Sequence, residues 1–469
     1  MKHLVILMTL LFVGLSVHAG KIKYPGTKVY ICRYTLNDKK ATTYSLNEAG
    51  RFLSKKSLNR RRKQGIAVDS TDLPIPQSYI RMFSSKGTTV LGTSKWQNTV
   101  LVSSKDTTEL RRLGTLPIVK ASRCVYISPD SIEKPADIRW NVHKTFNRWD
   151  SIHNDPYGMS RQQIETLAGH WLHEQGFTGK GITIAILDGG FQNYSQIPAL
   201  REAHITGTHD FVVTALDHRF YDDRETCFNS IDHGTKVFSA LAAKAPEVCM
   251  GTAPDASYWL LRCEDSNTEQ PVEEDLWTMA AEFADSVGVD IINSSLGYYK
   301  FDNDRGNYRL QDLDGKTAFI SRTASMLARK GIVLCNSAGN SGMGPWKKIS
   351  VPGDATDILT VGAIDQNSVI AAFSSLGPTQ DGRIKPDVVA IGAPTALISG
   401  RGTLINDMGT SFSTPIVTGL VACLWQALPS KSAFEIINLV RRSGNHYKEP
   451  TNIYGYGIPN FWTAYQLGQ

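Results

Sequence analysis

The sequence predicts two folded units in series. The first is a small α+β unit of ferredoxin-like order. The second is a larger α/β unit built on a doubly wound, mostly parallel sheet. Three observations carry this. Residues 20–135 follow the order βαββαβ. From Arg161 onward, short unbroken apolar runs alternate with helical segments, as in a parallel sheet buried on both faces. Between the two, residues 129–157 carry Pro129, Pro135 and Pro156 without periodicity and read as a linker, bounded at 136–156.

In the first unit, Lys28–Tyr34 (KVYICRY) reads as a strand. Ser45–Gln64 reads as a basic helix with Leu46, Phe52, Leu53 and Leu58 apolar. Thr88–Gly92 and Thr99–Ser103 flank the turn Lys95-Trp96-Gln97-Asn98 as a hairpin would. Thr107–Leu113 is a short helix and Ile118–Ile127 a last strand. In the second unit, Ile182–Leu187, Ile291–Asn293, Ile332–Cys335 and Ile358–Val361 are buried-strand candidates. Ser321–Lys330 and Ser411–Leu428 are helices between or after them.

Composition sets further bounds. The chain has 469 residues, 41% apolar and 20% charged, which excludes a disordered or collagen-like polymer. Its net charge of +6 hides an asymmetry: residues 20–150 carry +15 and residues 151–469 carry −10. Two oppositely charged units can attract one another within one chain. The Arg60–Lys63 run also admits a nucleic-acid patch, but no aromatic residues are interleaved with it. Lys2 and His3 precede an apolar run from Leu4 to Val17, and Val17-His18-Ala19 fits a signal-peptidase site. Residues 1–19 are therefore expected to be a cleaved signal peptide, an uncleaved anchor being the other reading. The mature protein would then lie outside the cytoplasm, secreted to the periplasm or medium, with no membrane attachment. Seven cysteines leave at least one unpaired within a monomer. A Cys32–Cys124 bridge is open, and Cys227, Cys249 and Cys263 offer another.

Four segments carry chemistry. Asp188 ends the strand of Ala185-Ile186-Leu187-Asp188, where open α/β sheets place functional groups. His233 opens a helix in Asp232-His233-Gly234-Thr235; Asp232 adjoins it, but neighbouring side chains diverge, so Asp232 is not assigned as its partner. Ser411 lies in Gly409-Thr410-Ser411-Phe412-Ser413-Thr414-Pro415, at the start of a long apolar helix. There, free backbone N–H groups could hold a developing oxyanion. Asn340, in Ser337-Ala338-Gly339-Asn340, could supply a second donor. Each segment alone also reads as a cap or turn. Together, in the order Asp…His…Ser, they make a nucleophile, a base and an orienting carboxylate.

With these motifs the sequence resembles the subtilisin-like serine proteases (peptidase family S8). The resemblance runs from about Tyr157 to Gly468. It includes Leu187-Asp188-Gly189-Gly190, His233-Gly234-Thr235, Gly251-Thr252-Ala253-Pro254, Ser294-Ser295-Leu296-Gly297, Ser337-Ala338-Gly339-Asn340, Phe373-Ser374-Ser375-Leu376-Gly377 and Gly409–Pro415. It implies a secreted serine endopeptidase, a hydrolase made as a zymogen, that cuts protein or peptide substrates through an acyl-enzyme. Asp188 would orient the base His233 for the nucleophile Ser411, and Asn340 would complete the oxyanion hole. Ser295, Leu296, Gly297, Ser337, Ala338 and Gly339 would bind substrate. Residues 20–135 would be a pro-domain that assists folding and inhibits in cis, 136–156 would carry the maturation cleavage, and 157–469 would be the catalytic domain. A monomer with no nucleic-acid partner is expected. A non-catalytic binding protein on the same scaffold is the alternative.

Two departures from the family matter. Gly189 stands where the family has Ser or Thr, removing a hydroxyl beside the carboxylate. The stretch Lys244–Met250 offers Glu247 but few other oxygens in place of the usual calcium loop. No cofactor is expected for the chemistry; structural calcium stays open, and no metal ligand is assigned.

Overall fold

The structure, a computed structural model, describes residues 21–23, 27–133, 155–212 and 231–469. The expected signal peptide, nearly all of the linker with its maturation site, and Cys227 lie outside the described residues.

The first unit is a four-stranded antiparallel sheet of β1 (Tyr30–Leu36), β2 (Thr88–Ser94), β3 (Thr99–Ser104) and β4 (Val119–Ile127). Its strand order is β2-β3-β1-β4, that of a ferredoxin-like fold. The helices are α1 (Lys55–Lys63), α2 (Gln77–Met82) and α3 (Thr107–Gly114). The helix expected over Ser45–Gln64 is broken. A 3₁₀ turn over Leu46–Arg51 ends at Phe52, and Ser54 starts α1 by accepting the Ser57 N–H on its hydroxyl. A serine that caps a new helix stops the preceding one from running through. Residues Ser131–Glu133 pair with Lys21–Lys23, so ordered pairing continues to residue 133.

The second unit holds a seven-stranded, wholly parallel sheet. Its strands are β5 (Thr183–Asp188), β6 (His204–Asp210), β7 (Ser257–Arg262), β8 (Ile291–Ser294), β9 (Val333–Ser337), β10 (Leu359–Asp365) and β11 (Val388–Ala393). Their order is β11-β10-β9-β8-β5-β7-β6. Every residue of β5 is buried, which is why it reads as an unbroken apolar run. On one face lie α4 (His233–Ala242) and α6 (Thr410–Ala427); α5 (Val272–Val287) lies on the other. The helix expected over Ser321–Lys330 is instead a short helix, Phe319–Ala324, and a 3₁₀ turn, Ala328–Lys330, closed by Gly331 at φ +84°. Among the described residues, no helix is long and apolar enough to cross a membrane.

The two units meet through α5, which packs on the large sheet and on the small unit. Its acids explain the charge asymmetry. Asp275 accepts two 2.6 Å hydrogen bonds from Arg33. Asp285 takes bonds from Arg60, Arg61 and Lys95 at 2.6–3.3 Å. Glu282 accepts the Lys95 and Trp96 backbone N–H groups at 2.8 and 3.0 Å. Arg60 and Arg61, half of the basic run, are buried in these pairs.

Neither of the disulfides left open by the sequence is formed among the described cysteines. Cys32 and Cys124 face each other across β1 and β4 as free thiols. Cys249 and Cys263 pack in different hydrophobic clusters, so the sheet separates them.

Candidate active site

The carboxyl ends of β5, β8 and β9 and the start of α6 converge on one cleft. Asp188 is the last residue of β5 and is fully buried. His233 is the first residue of α4, and its Nδ1 lies 2.9 and 3.0 Å from the two Asp188 carboxylate oxygens. Gly234 permits this approach. A Cβ there would stand 2.5 Å from the Gly190 carbonyl oxygen and 3.0 Å from Asp188 Cβ. Burial pulls the His233 pKa down, but the charge and hydrogen bond of Asp188, joined by the charge of Glu264, outweigh it and raise it to about 9. A carboxylate clasping Nδ1 fixes the tautomer and leaves Nε2 for proton transfer.

Ser411 sits in the first turn of α6, largely buried. Its hydroxyl donates to the Ser295 carbonyl at 3.2 Å, while Ser295 Oγ donates to the Ser411 carbonyl at 2.8 Å. Turned to Ser295, the Ser411 hydroxyl makes no hydrogen bond to His233. The His233 ring lies 5.6 Å, centroid to centroid, from that of Phe412, the residue after Ser411. Asn340 follows β9. Its Oδ1 accepts both the Thr410 N–H and the Thr410 hydroxyl at 2.9 Å, which turns the amide N–H₂ away from Thr410. A Cβ on Gly409 would lie 3.7 Å from that amide nitrogen. Asn340 is exposed, so its donor is open to a ligand.

The six expected substrate-binding residues also come together. Ser295-Leu296-Gly297 leaves β8, and Ser337-Ala338-Gly339 leaves β9 beside it. Asn336 Nδ2 bridges to the Leu296 and Ser337 carbonyls. Gly297 and Gly339 both border Ser350: a Cβ on either would approach its side chain within 2.8 Å. Two glycines facing a buried serine leave a slot between the two segments.

The structure adds Glu264, which sequence reasoning missed. It follows β7 and fills the room left by Gly189, where a Cβ would stand 2.7 Å from Glu264 Oε2. Burial, then repulsion from Asp188, raises its pKa to about 7. Its only sequence signal is its place at a strand's carboxyl end. Gly189 itself donates its N–H to Asp188 Oδ1 at 2.8 Å. The stretch 244–250 is a tight hairpin, Lys244–Ala245 against Cys249–Met250, with Glu247 as its one carboxylate. Calcium takes six to eight oxygens, so most of a shell here would have to come from backbone carbonyls and water.

Comparison with known proteins agrees with this geometry. A model described as the subtilase family matches residues 179–457. A second, the peptidase S8 propeptide domain of Bacteroidota, matches residues 33–139. Serine protease AprX of Bacillus subtilis (strain 168) is 29% identical over 316 residues, 61% of this chain and 66% of that protein. M-protease of Shouchella clausii (strain KSM-K16) is 27% identical over 355 residues, 75% of this chain and 80% of that protein. Subtilisin Savinase of Lederbergia lenta is 27% identical over 306 residues, 65% of this chain and 96% of that protein.

Proposed function

The chain belongs to the subtilase family of serine endopeptidases and carries that family's propeptide domain; we propose that it is exported as a zymogen and cleaves proteins through an Asp188–His233–Ser411 triad. The observation that carries this reading is the two-oxygen clasp of Asp188 on His233 Nδ1, with Ser411 on the adjoining helix terminus.

In this mechanism an extended substrate pairs with the edge at Ser295-Leu296-Gly297 and with Ser337-Ala338-Gly339. The neutral His233 takes the Ser411 hydroxyl proton on Nε2 as Oγ attacks the scissile carbonyl carbon. Asp188 stabilises the imidazolium that forms. The oxyanion is held by the Asn340 side-chain N–H and the Ser411 backbone N–H. His233 then delivers its proton to the leaving amine, giving the acyl-enzyme. Water, deprotonated by the same imidazole, hydrolyses the ester. No cofactor takes part. The N-terminal unit acts as inhibitor in cis until the 136–156 linker is cut, and the mature enzyme works outside the cytoplasm as a monomer.

Intact mass of the full chain over time, beside Ser411→Ala, tests this. The parent loses its N-terminal unit and Ser411 takes up a fluorophosphonate; the variant does neither. A parent that neither matures nor labels would favour a binding protein on a protease scaffold.

A further inference from the structure

We propose that Glu264, Glu269 and Glu273 form a binding site for a divalent, oxygen-seeking cation of the calcium class, in the wall of the cleft beside the Asp188–His233 pair. One carboxylate oxygen from each of the three lies within 4.8 Å of the others. Two oxygens on opposite sides of a calcium ion, each at 2.3–2.6 Å, stand about 5 Å apart, so the span fits without rearrangement.

Glu273 supplies the second, independent observation. It is fully buried, and neither of its carboxylate oxygens has a hydrogen-bond partner. It lies in the first turn of α5, yet the N–H groups of that turn do not reach it. The buried Tyr298 hydroxyl lies beside it and partly offsets its burial, without a hydrogen bond of ordinary geometry. An ionised carboxylate in that position is costly unless a positive group meets it.

Among the described residues, no Lys, Arg or His forms an ion pair with any of the three within 4.0 Å. Two basic groups act on Glu264 from a distance: His233, which is clasped by Asp188, and Arg262, which is spent on the Gly189 carbonyl and Asp210. Lys300, across the adjoining cavity from Glu269, is 3.9 Å from Asp304. Asp265 and Asp302 add further negative charge. Burial and then repulsion from neighbouring carboxylates raise all three carboxyls, Asp188 acting on Glu264, Glu264 on Glu269 and Glu269 on Glu273; Glu264 reaches about 7 and Glu269 about 8.

The ligand set selects the ion. It is all carboxylate, without imidazole or thiolate, which disfavours zinc. Three glutamates offer up to six oxygens, which suits calcium, whereas magnesium keeps several waters and takes one or two carboxylates. Glu264 and Glu269 are partly exposed, which leaves a route for the ion to the buried Glu273. The site is separate from the 244–250 hairpin, and it exists because Gly189 leaves room for Glu264.

The test uses the full chain carrying Ser411→Ala, stripped of metal and titrated with CaCl₂ by calorimetry. Glu273→Gln and, as a more exposed second variant, Glu269→Gln are made in the same background. The site predicts one calcium bound per chain, with affinity falling about tenfold or more in each variant, as expected when a carboxylate ligand is lost. Without calcium both variants melt close to the parent, because the amide is isosteric with a carboxyl that burial favours in its neutral form. Absence of calcium binding, or binding unchanged in both variants, overturns the proposal. So does a Glu273-dependent preference of the active enzyme for peptides with Lys or Arg near the scissile bond. That result would assign the carboxylates to a substrate side chain instead.

Discussion

Asp285 is the charge on which docking of the N-terminal unit turns, and Asp285→Asn should loosen that unit without unfolding the rest. The carboxylate is fully buried and meets Arg60, Arg61 and Lys95, all from the other unit. Three nearby cations more than offset burial and hold its pKa below the usual carboxylate value, so it is charged at neutral pH. Removing one partner of a buried pair costs about 3–5 kcal/mol. Here the low end applies, because each cation keeps another acceptor. Arg60 retains the Val289 carbonyl, Arg61 retains Asp72, and Lys95 retains Ser286 Oγ. About 3 kcal/mol is roughly a hundredfold in the docking equilibrium. Amide hydrogen exchange on the full chain bearing Ser411→Ala reads this directly. The Lys95 and Trp96 N–H groups are bonded to Glu282 only while the units are docked. Their exchange should quicken about a hundredfold in Asp285→Asn, with no change in β5, β8 or β9. The substitution also removes a negative charge from the last turn of α5, where the helix dipole disfavours it, so the catalytic unit should be no less stable. Equal exchange rates in parent and variant would refute the view that these ion pairs hold the zymogen together.

Two further predictions concern the mature enzyme. Asn340→Leu should cut kcat by about 10²–10³ with little change in KM, since the lost donor acts on the oxyanion and not on the ground state; near-normal turnover would remove Asn340 from its role. The acid limb of kcat/KM should lie above the free-imidazole value of about 6.5, displaced toward the raised His233 pKa of about 9. Activity then grows as pH rises and His233 becomes neutral. The stability drawn from the Asp188–His233 pair runs the other way: it is full below about 6.5 and is lost as pH rises through about 9. Asp188→Asn should bring the limb down and lower kcat by about 10⁴. A limb at or below 6.5 in the parent, or one unmoved by Asp188→Asn, would contradict the clasp as the cause.

How far the sequence could be read depends on what each residue is buried against. The strands β5, β8, β9 and β10 were legible because a parallel sheet covered on both faces demands unbroken apolar runs. The positions Asp188, His233, Asn340 and Ser411 were legible because their motifs sit at strand ends and helix starts. Helix α5 was not. It buries Glu273, Glu274, Asp275, Glu282 and Asp285 alongside Leu276 and Ala280, so its apolar stripe is interrupted by acids that periodicity assigns to solvent. Asp275, Glu282 and Asp285 are buried because a second unit brings Arg33, Arg60, Arg61 and the 94–97 turn to them, contacts more than 180 residues distant in sequence. The +15 and −10 halves announced that attraction but not its place. Glu264 and Glu273 failed for a different reason. Among the described residues neither forms an ion pair, so no charge pattern in the sequence marks them out. The same physics separates the two kinds of buried acid. Asp285, met by three cations, has its pKa lowered, while Glu264, with none bonded to it, is raised to about 7. Burial alone therefore does not decide how a carboxyl titrates; the counter-charge bonded to it does, and the Glu264 carboxyl beside the catalytic cleft is buried without one.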